Sequence, residues 1–402
     1  MQGQDPWAPP DRLLPPPPGT WYVPEPEDPR AQRRRRRRAV TALVTVVLVL
    51  IGIAGAAVIR EREREERVRQ QVAEVLPSLR GFVETERGLP FEEPVDVEVL
   101  DDDAFLDALY EQPEDAPEPR EDRDGERTLK ALGLLDEDAD LDEQVEEQLD
   151  AGVVGFYDPR TDRLVVRGRE LDVFTELVLV HELTHALQDQ HFDLDRPELD
   201  EADDERSIAF DALVEGDAVR VEEAWLAAQP ADRQDEVFER LGDQTGGGSG
   251  GDVVSELLSF PYVVGPSYVR QVLDGAGQQA LDALFVDPPT TTEQVLVPSE
   301  AGPPVDVPRP DVEGDVVDEG VLGELGLALL LDARPYHPGP HSRWGGDRYV
   351  TVERGERTCT TADVAADDPK QLDDLVGVLQ RARPEADVER RGDVVRLTAC
   401  TS

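Results

Sequence analysis

The run His181-Glu182-Leu183-Thr184-His185 places two imidazoles four residues apart, with a carboxylate directly after the first. On a helix, positions i and i+4 share one face, so both rings can turn toward one metal ion, and Zn²⁺ is the cofactor this donor set predicts. Glu182 then lies where a general base must lie to take a proton from a metal-held water. The chain holds only five histidines, and three of them fall between positions 181 and 191. With so few, a chance match to the motif is on the order of one in a hundred.

A catalytic zinc needs a third protein ligand and an open position for water. His191 lies six residues past His185, which is the spacing of the HExxHxxGxxH pattern. That pattern requires a glycine where this chain has Gln188 and a downstream methionine turn, whereas the only methionine is Met1. The competing ligand is Glu215, in Ala212-Leu213-Val214-Glu215-Gly216-Asp217-Ala218, where an apolar flank and a small glycine allow close helix approach. Two histidines and a glutamate from two packed helices is the expected metal set: His181, His185 and Glu215. An oxyanion donor beyond the metal is sought among Tyr157, Tyr262, His337 and His341, with Tyr262 the first choice.

Leu171 to Gln190 has the pattern of a long helix with Asp172 as its N-cap, and a second helix runs from Ile208 to Ala228 before Pro230. Ahead of the motif, Gly152 to Tyr157 and Arg163 to Arg167 read as strands joined in a hairpin across Asp158 to Asp162. The expected fold class is α+β. It comprises a zincin-like helical core with a small antiparallel sheet, one transmembrane helix ahead of it, and a C-terminal strand–helix–strand unit.

Residues 1–38 are rich in proline and arginine and predict a disordered cytoplasmic tail. Ala39 to Ile59 carries no charge and is long enough, at about 1.5 Å per residue, to span a bilayer. The Arg33 to Arg38 block predicts a single-pass cell-membrane protein with its C-terminal part outside the cytoplasm. Residues 60–85 are expected as a helical stalk, 86–335 as the metallopeptidase domain and 336–402 as the C-terminal subdomain. Gly246 to Gly251 predicts a flexible loop. Cys359 and Cys400 are expected to pair in an oxidising location. The formal charge of −48 excludes nucleic acid as a partner, because phosphates need a basic footprint.

HELTHALQDQHF followed by ALVEGDA resembles the gluzincin metallopeptidases. With GVVGFYDPRTDRLVV, FPYVVGPSYVRQVL, DPPTTTEQVLVP and WGGDRYVTV, the chain more narrowly resembles a family of membrane-bound or exported zinc metallopeptidases inferred in actinobacteria and related prokaryotes. The resemblance spans roughly residues 150–400. It implies zinc on His181, His185 and Glu215, Glu182 as general base, a peptide or protein substrate, and the strand near Val153 to Tyr157 flanking the cleft. Two positions depart from the pattern. Val219 stands where thermolysin-like enzymes have an aspartate that orients a ligand, leaving Asp211 or Asp217 for that role. Val297 stands where the family has a histidine. These departures keep open a catalytically inactive zinc-binding envelope protein, and a zinc hydrolase of non-peptide substrates would share the same residues.

Overall fold

The computed structural model describes residues 62–111, 120–168, 170–200, 204–245, 253–332 and 344–402. The expected tail, the apolar run 39–59, the glycine loop 246–251, His337 and His341 lie outside the described residues.

The chain begins with α1 (62–87), then β1 (Val97–Leu100), α2 (Asp102–Leu109), α3 (Arg120–Ala131) and α4 (Leu141–Gly152). The hairpin β2 (Gly155–Asp158) and β3 (Arg163–Arg167) leads into α5 (Val173–Phe192), which carries the two histidines. A short α6 (Pro197–Asp200) precedes α7 (Asp204–Ala227), α8 (Ala231–Thr245), α9 (Val253–Ala276), α10 (Gln278–Val286) and α11 (Thr292–Leu296). The chain closes through β4 (Asp315–Gly320), α12 (Gly323–Leu330), β5 (Trp344–Arg354), β6 (Arg357–Ala366), α13 (Leu372–Ala382), β7 (Asp387–Arg391) and β8 (Val394–Cys400).

Three expectations are corrected. The fold is α+β, but its small sheet is mixed rather than antiparallel: in the order β1-β3-β2, β1 runs parallel to β3 and β2 antiparallel to it. The C-terminal unit is larger than strand–helix–strand, because β4-β5-β6-β8-β7 form one five-stranded antiparallel sheet. Among the described residues no helix is long and apolar enough to cross a membrane, against the expected transmembrane helix and single-pass cell-membrane location. Among the long helices, α7 and α9 have 24 residues each, but α7 is charged along its whole course and α9 carries Glu256, Arg270 and Asp274.

α1 does not stand off as a stalk. Val68, Val72, Leu79 and Val83 are buried in one cluster with Leu164 and Val166 of β3 and Leu179, Val180, Leu183 and Leu187 of α5. Fully burying each such side chain contributes about 1.5–3 kcal/mol, so α1 is integral to the platform under the histidines. A second cluster joins Ala212 and Leu213 of α7 to Phe260 and Val269 of α9, Leu281 and Phe285 of α10, and Leu325 of α12. α7 and α9 meet backbone to backbone: a Cβ on Gly216 would come within 2.3 Å of Gly265, and one on Gly265 within 2.2 Å of the Ala212 carbonyl. That contact presses the Glu215 turn of α7 against the Tyr262 turn of α9. The C-terminal sheet packs α13 through Leu372, Leu375 and Leu379. Cys359 and Cys400 are disulfide-bonded opposite one another on β6 and β8.

Candidate metal centre

The Asp172 side chain accepts a 2.8 Å hydrogen bond from Thr175 N and caps α5, fixing where the helix starts and hence which face carries its later residues. Leu179, Val180, Leu183 and Leu187 bury the opposite face completely, which turns His181 and His185 toward α7. His181 Nε2 and His185 Nε2 lie 3.0 Å apart. Glu215 Oε2 lies 3.0 Å from the first and 3.3 Å from the second. The structure thus brings together three residues expected to meet from sequence, and the group of His181, His185 and Glu215 can hold a metal ion.

The hydrogen bonds behind the triangle show why a cation fits it. His181 Nδ1 is 2.9 Å from Glu222 Oε2, an acceptor, so that nitrogen carries the proton. Gln188 donates its amide nitrogen to Val214 O at 3.1 Å and to Asp217 Oδ2 at 3.0 Å. Its oxygen therefore faces His185 Nδ1, 3.0 Å away, and accepts from it. With both Nδ1 atoms protonated, the rings in their neutral form aim two Nε2 lone pairs at each other and at a carboxylate oxygen. Three acceptors at such range repel one another unless a positive charge lies between them. A tetrahedral ion with bonds of about 2.0–2.1 Å spaces its ligand atoms about 3.3 Å apart, close to the observed triangle.

Electrostatics point the same way. Burial opposes charge on His181, but its hydrogen bonds to Glu215 and Glu222 outweigh it and hold its pKa well above the ordinary imidazole range. His185 is raised against burial by the charge and hydrogen bond of Glu215. Burial pushes Glu215 up, yet the two histidines pull it well below the usual carboxylate range. These shifts favour positive charge beside the Glu215 carboxylate, where a metal cation would sit. Glu182, also buried, is raised above the ordinary glutamate range chiefly by burial, with Glu215 adding to the effect and the histidines and the Tyr157 backbone N–H opposing it.

Tyr262 is at the site. Its hydroxyl donates to Glu215 Oε1 at 3.0 Å and its ring stacks over His181 with centroids 6.1 Å apart. The ring is 48% exposed while the hydroxyl points inward, where burial and the Glu215 charge raise its pKa. Pro261 inside α9 removes one helix N–H just ahead of it, loosening the turn that presents the tyrosine. Tyr157 is not at the metal centre: its hydroxyl donates to Asp189 at 2.7 Å, and only its backbone reaches Glu182. His191 is spent elsewhere, 2.7 Å from the Pro90 carbonyl.

Three supporting residues were not expected. Glu222 orients His181 from seven positions beyond Glu215, two turns along the same face of α7, and so takes over from the aspartate missing at Val219. Gln188 orients His185 from three positions along α5, the same residue whose presence excludes the glycine pattern. Of the two aspartates left open, Asp217 acts at one remove, through Gln188, while Asp211 is exposed one turn before Glu215. Asp217 in turn faces the fully buried Arg87 of α1, with Nε and Oδ2 at 2.7 Å. That pair is close without the alignment of a hydrogen bond, since Arg87 Nε and Nη2 both lack an aligned acceptor. Heptad spacing on α7 could have revealed Glu222; nothing local to Arg87 points to a site more than 90 residues away. No family model, no curated protein and no solved structure matches this chain, and the reading of the site rests on its own geometry.

Proposed function

We propose that this chain is a zinc-dependent peptidase of the gluzincin type, with His181, His185 and Glu215 as ligands and Glu182 as general base. The observation that carries the reading is the convergence of two imidazole lone pairs and a carboxylate oxygen within 3.0–3.3 Å, beside a buried glutamate of raised pKa. A divalent metal held there supplies a Lewis acid and an acidified water. Glu182 accepts a proton from the attacking water and returns it to the departing amine; a carboxylate raised by burial holds that proton long enough to deliver it. Glu222 and the Gln188–Asp217 pair keep both imidazoles turned inward through the cycle.

β2 lies at the edge of its sheet, and an extended peptide can pair with that edge beside Glu182. Tyr262 is the proposed oxyanion donor. One hydroxyl proton makes one hydrogen bond, so in that role it leaves Glu215 Oε1 as the oxyanion forms.

The test is a set of three measurements on the full chain: metal content, cleavage of a mixed peptide library with and without chelator, and both repeated for Glu182→Gln. About one zinc per chain, chelator-sensitive cleavage, and loss of cleavage by roughly 10²–10⁴-fold in a variant that still binds metal are expected. Zinc bound by the unaltered chain with no cleavage of any peptide would assign a non-catalytic metal protein instead.

A further inference from the structure

The metal centre opens onto a cleft of about 1140 Å³ bounded by α3, α4, α7, α9 and α12. Glu215 and Tyr262 form part of its wall, so it is continuous with the proposed reaction site. Gly152 and Val153 line it as well, immediately before the edge strand β2 whose Tyr157 N–H reaches Glu182. A peptide laid along β2 past the metal therefore projects side chains into this space. Its volume exceeds the roughly 300–1,000 Å³ of a pocket for one small molecule, so it accepts more than one side chain.

Two properties of the wall select what fits. Leu149, Ile208, Leu257, Leu258, Leu325 and Leu329 make most of it aliphatic. Its charged members among the described residues are Glu205, Asp211 and Glu215, with no lysine or arginine. An acidic side chain entering here would leave water for an aliphatic surface and meet only like charge, whereas a large apolar one gains about 25 cal/mol per Å² buried.

Resting on the peptidase reading, we propose that this cleft makes the enzyme select substrates with large apolar residues on one side of the scissile bond and reject acidic residues there. Leu258 is the position to probe, because it lines the cleft yet is 37% exposed, so a polar replacement there is expected to leave the fold intact.

The experiment is fluorescence anisotropy on the full chain under chelator, so that nothing is cleaved. Two labelled eight-residue peptides are compared, one of alternating leucine and glycine, the other with aspartate in place of each leucine. The leucine peptide is expected to bind roughly tenfold or more tightly, and Leu258→Asp to remove about that much. Val286→Asp, at a site 73% exposed and outside the cleft wall, should leave binding unchanged. Equal binding of the two peptides, or an unaffected Leu258→Asp protein, overturns the proposal. With zinc restored, the cut sites in a denatured protein mixture should carry Leu, Phe, Ile, Val or Met within three residues on one side. Chelator-sensitive cutting without that bias overturns the selectivity and leaves the peptidase standing. Apolar binding without any cutting removes the peptidase and leaves the cleft's preference intact.

Discussion

At the metal centre the buried carboxylate of Glu215 is held well below the ordinary glutamate range, whereas beside the C-terminal sheet those of Glu324 and Asp347 are pushed up to about 8 and about 6. Burial acts in the same sense on all three. The difference lies in what faces them. Asp347 accepts from Leu322 N, Gly323 N and Trp344 Nε1 at 2.7–3.0 Å, and these donors together with the charge of Arg348 do not offset its loss of water. Glu324 accepts only from Trp344 N at 2.9 Å, its other oxygen has no partner, and Glu293 and Asp367 add repulsion. Glu215 faces two imidazoles, and a positive charge shared with them outweighs burial. Glu215 stays ionised because two imidazoles face it, whereas Glu324, with one neutral donor and acidic neighbours, keeps its proton up to about pH 8. The first arrangement suits binding a metal; the second leaves Glu324 a neutral acid near neutral pH.

The comparison is broken most severely by Glu215→Gln, which takes the anion out of the metal triangle. Losing one partner of a buried charge pair costs about 3–5 kcal/mol, so zinc affinity measured by competition with a chelator should fall by roughly 10²–10⁴-fold. An affinity within a factor of about three of the unaltered protein would exclude Glu215 as a ligand.

Tyr262→Phe keeps the ring on His181 and removes the hydroxyl. Loss of an oxyanion donor should lower kcat by roughly 10²-fold with KM and zinc content little changed. A weakened zinc affinity with unchanged kcat would instead give the hydroxyl a purely positioning role on Glu215.

Gln188→Ala leaves all three ligands but removes the acceptor of His185 Nδ1, while Asp217 keeps Arg87 and Arg220. Removing such an orienting group should cost roughly 10–100-fold in zinc affinity, read by the same competition. The unaltered affinity in this variant would mean that the helix alone fixes the imidazole.

The smallest effect sharpens the other half of the contrast. The folded pKa of Glu324, about 8, lies above its ordinary value of 4.5. Its contribution to stability is therefore full below pH 4.5 and is lost as the pH rises through 8. Asp347 adds a similar loss between 3.8 and about 6. The urea midpoint of the full chain should fall from pH 5 to pH 9, and Glu324→Gln should flatten the alkaline part of that fall, a change on the order of 1–3 kcal/mol. A midpoint that rises over this range would show that Glu324 is ionised and paired.

Much of the centre was legible in the chain because its parts are local. The i, i+4 spacing of His181 and His185 forces them onto one helix face, and the Asp172 cap and the apolar residues around them define that helix. Glu215 needed a judgement about which of two candidates comes near, and the glycine beside it was the useful clue, since Gly216 meets Gly265 across the helix contact. The β2–β3 hairpin showed itself through turn residues. β7 did not, because Asp387 to Arg391 is a charged edge strand without the alternation by which strands are recognised. The mixed order of the small sheet was equally hidden, since parallel pairing of β1 with β3 joins segments more than 60 residues apart.

By itself the sequence determined the identity of the donor atoms, the helix that carries two of them, and a formal charge of −48. Each of these depends on covalent order and on neighbours within a few turns. Only the tertiary structure decided that Glu222 and Gln188 hold the imidazoles, that Arg87 of α1 stands behind Asp217, that Tyr262 rather than Tyr157 bears on Glu215, and that the centre opens onto an aliphatic cleft. Those outcomes follow from how α1, α7 and α9 pack on α5. Packing is set by the summed fit of many side chains distant in sequence, which no local spacing encodes.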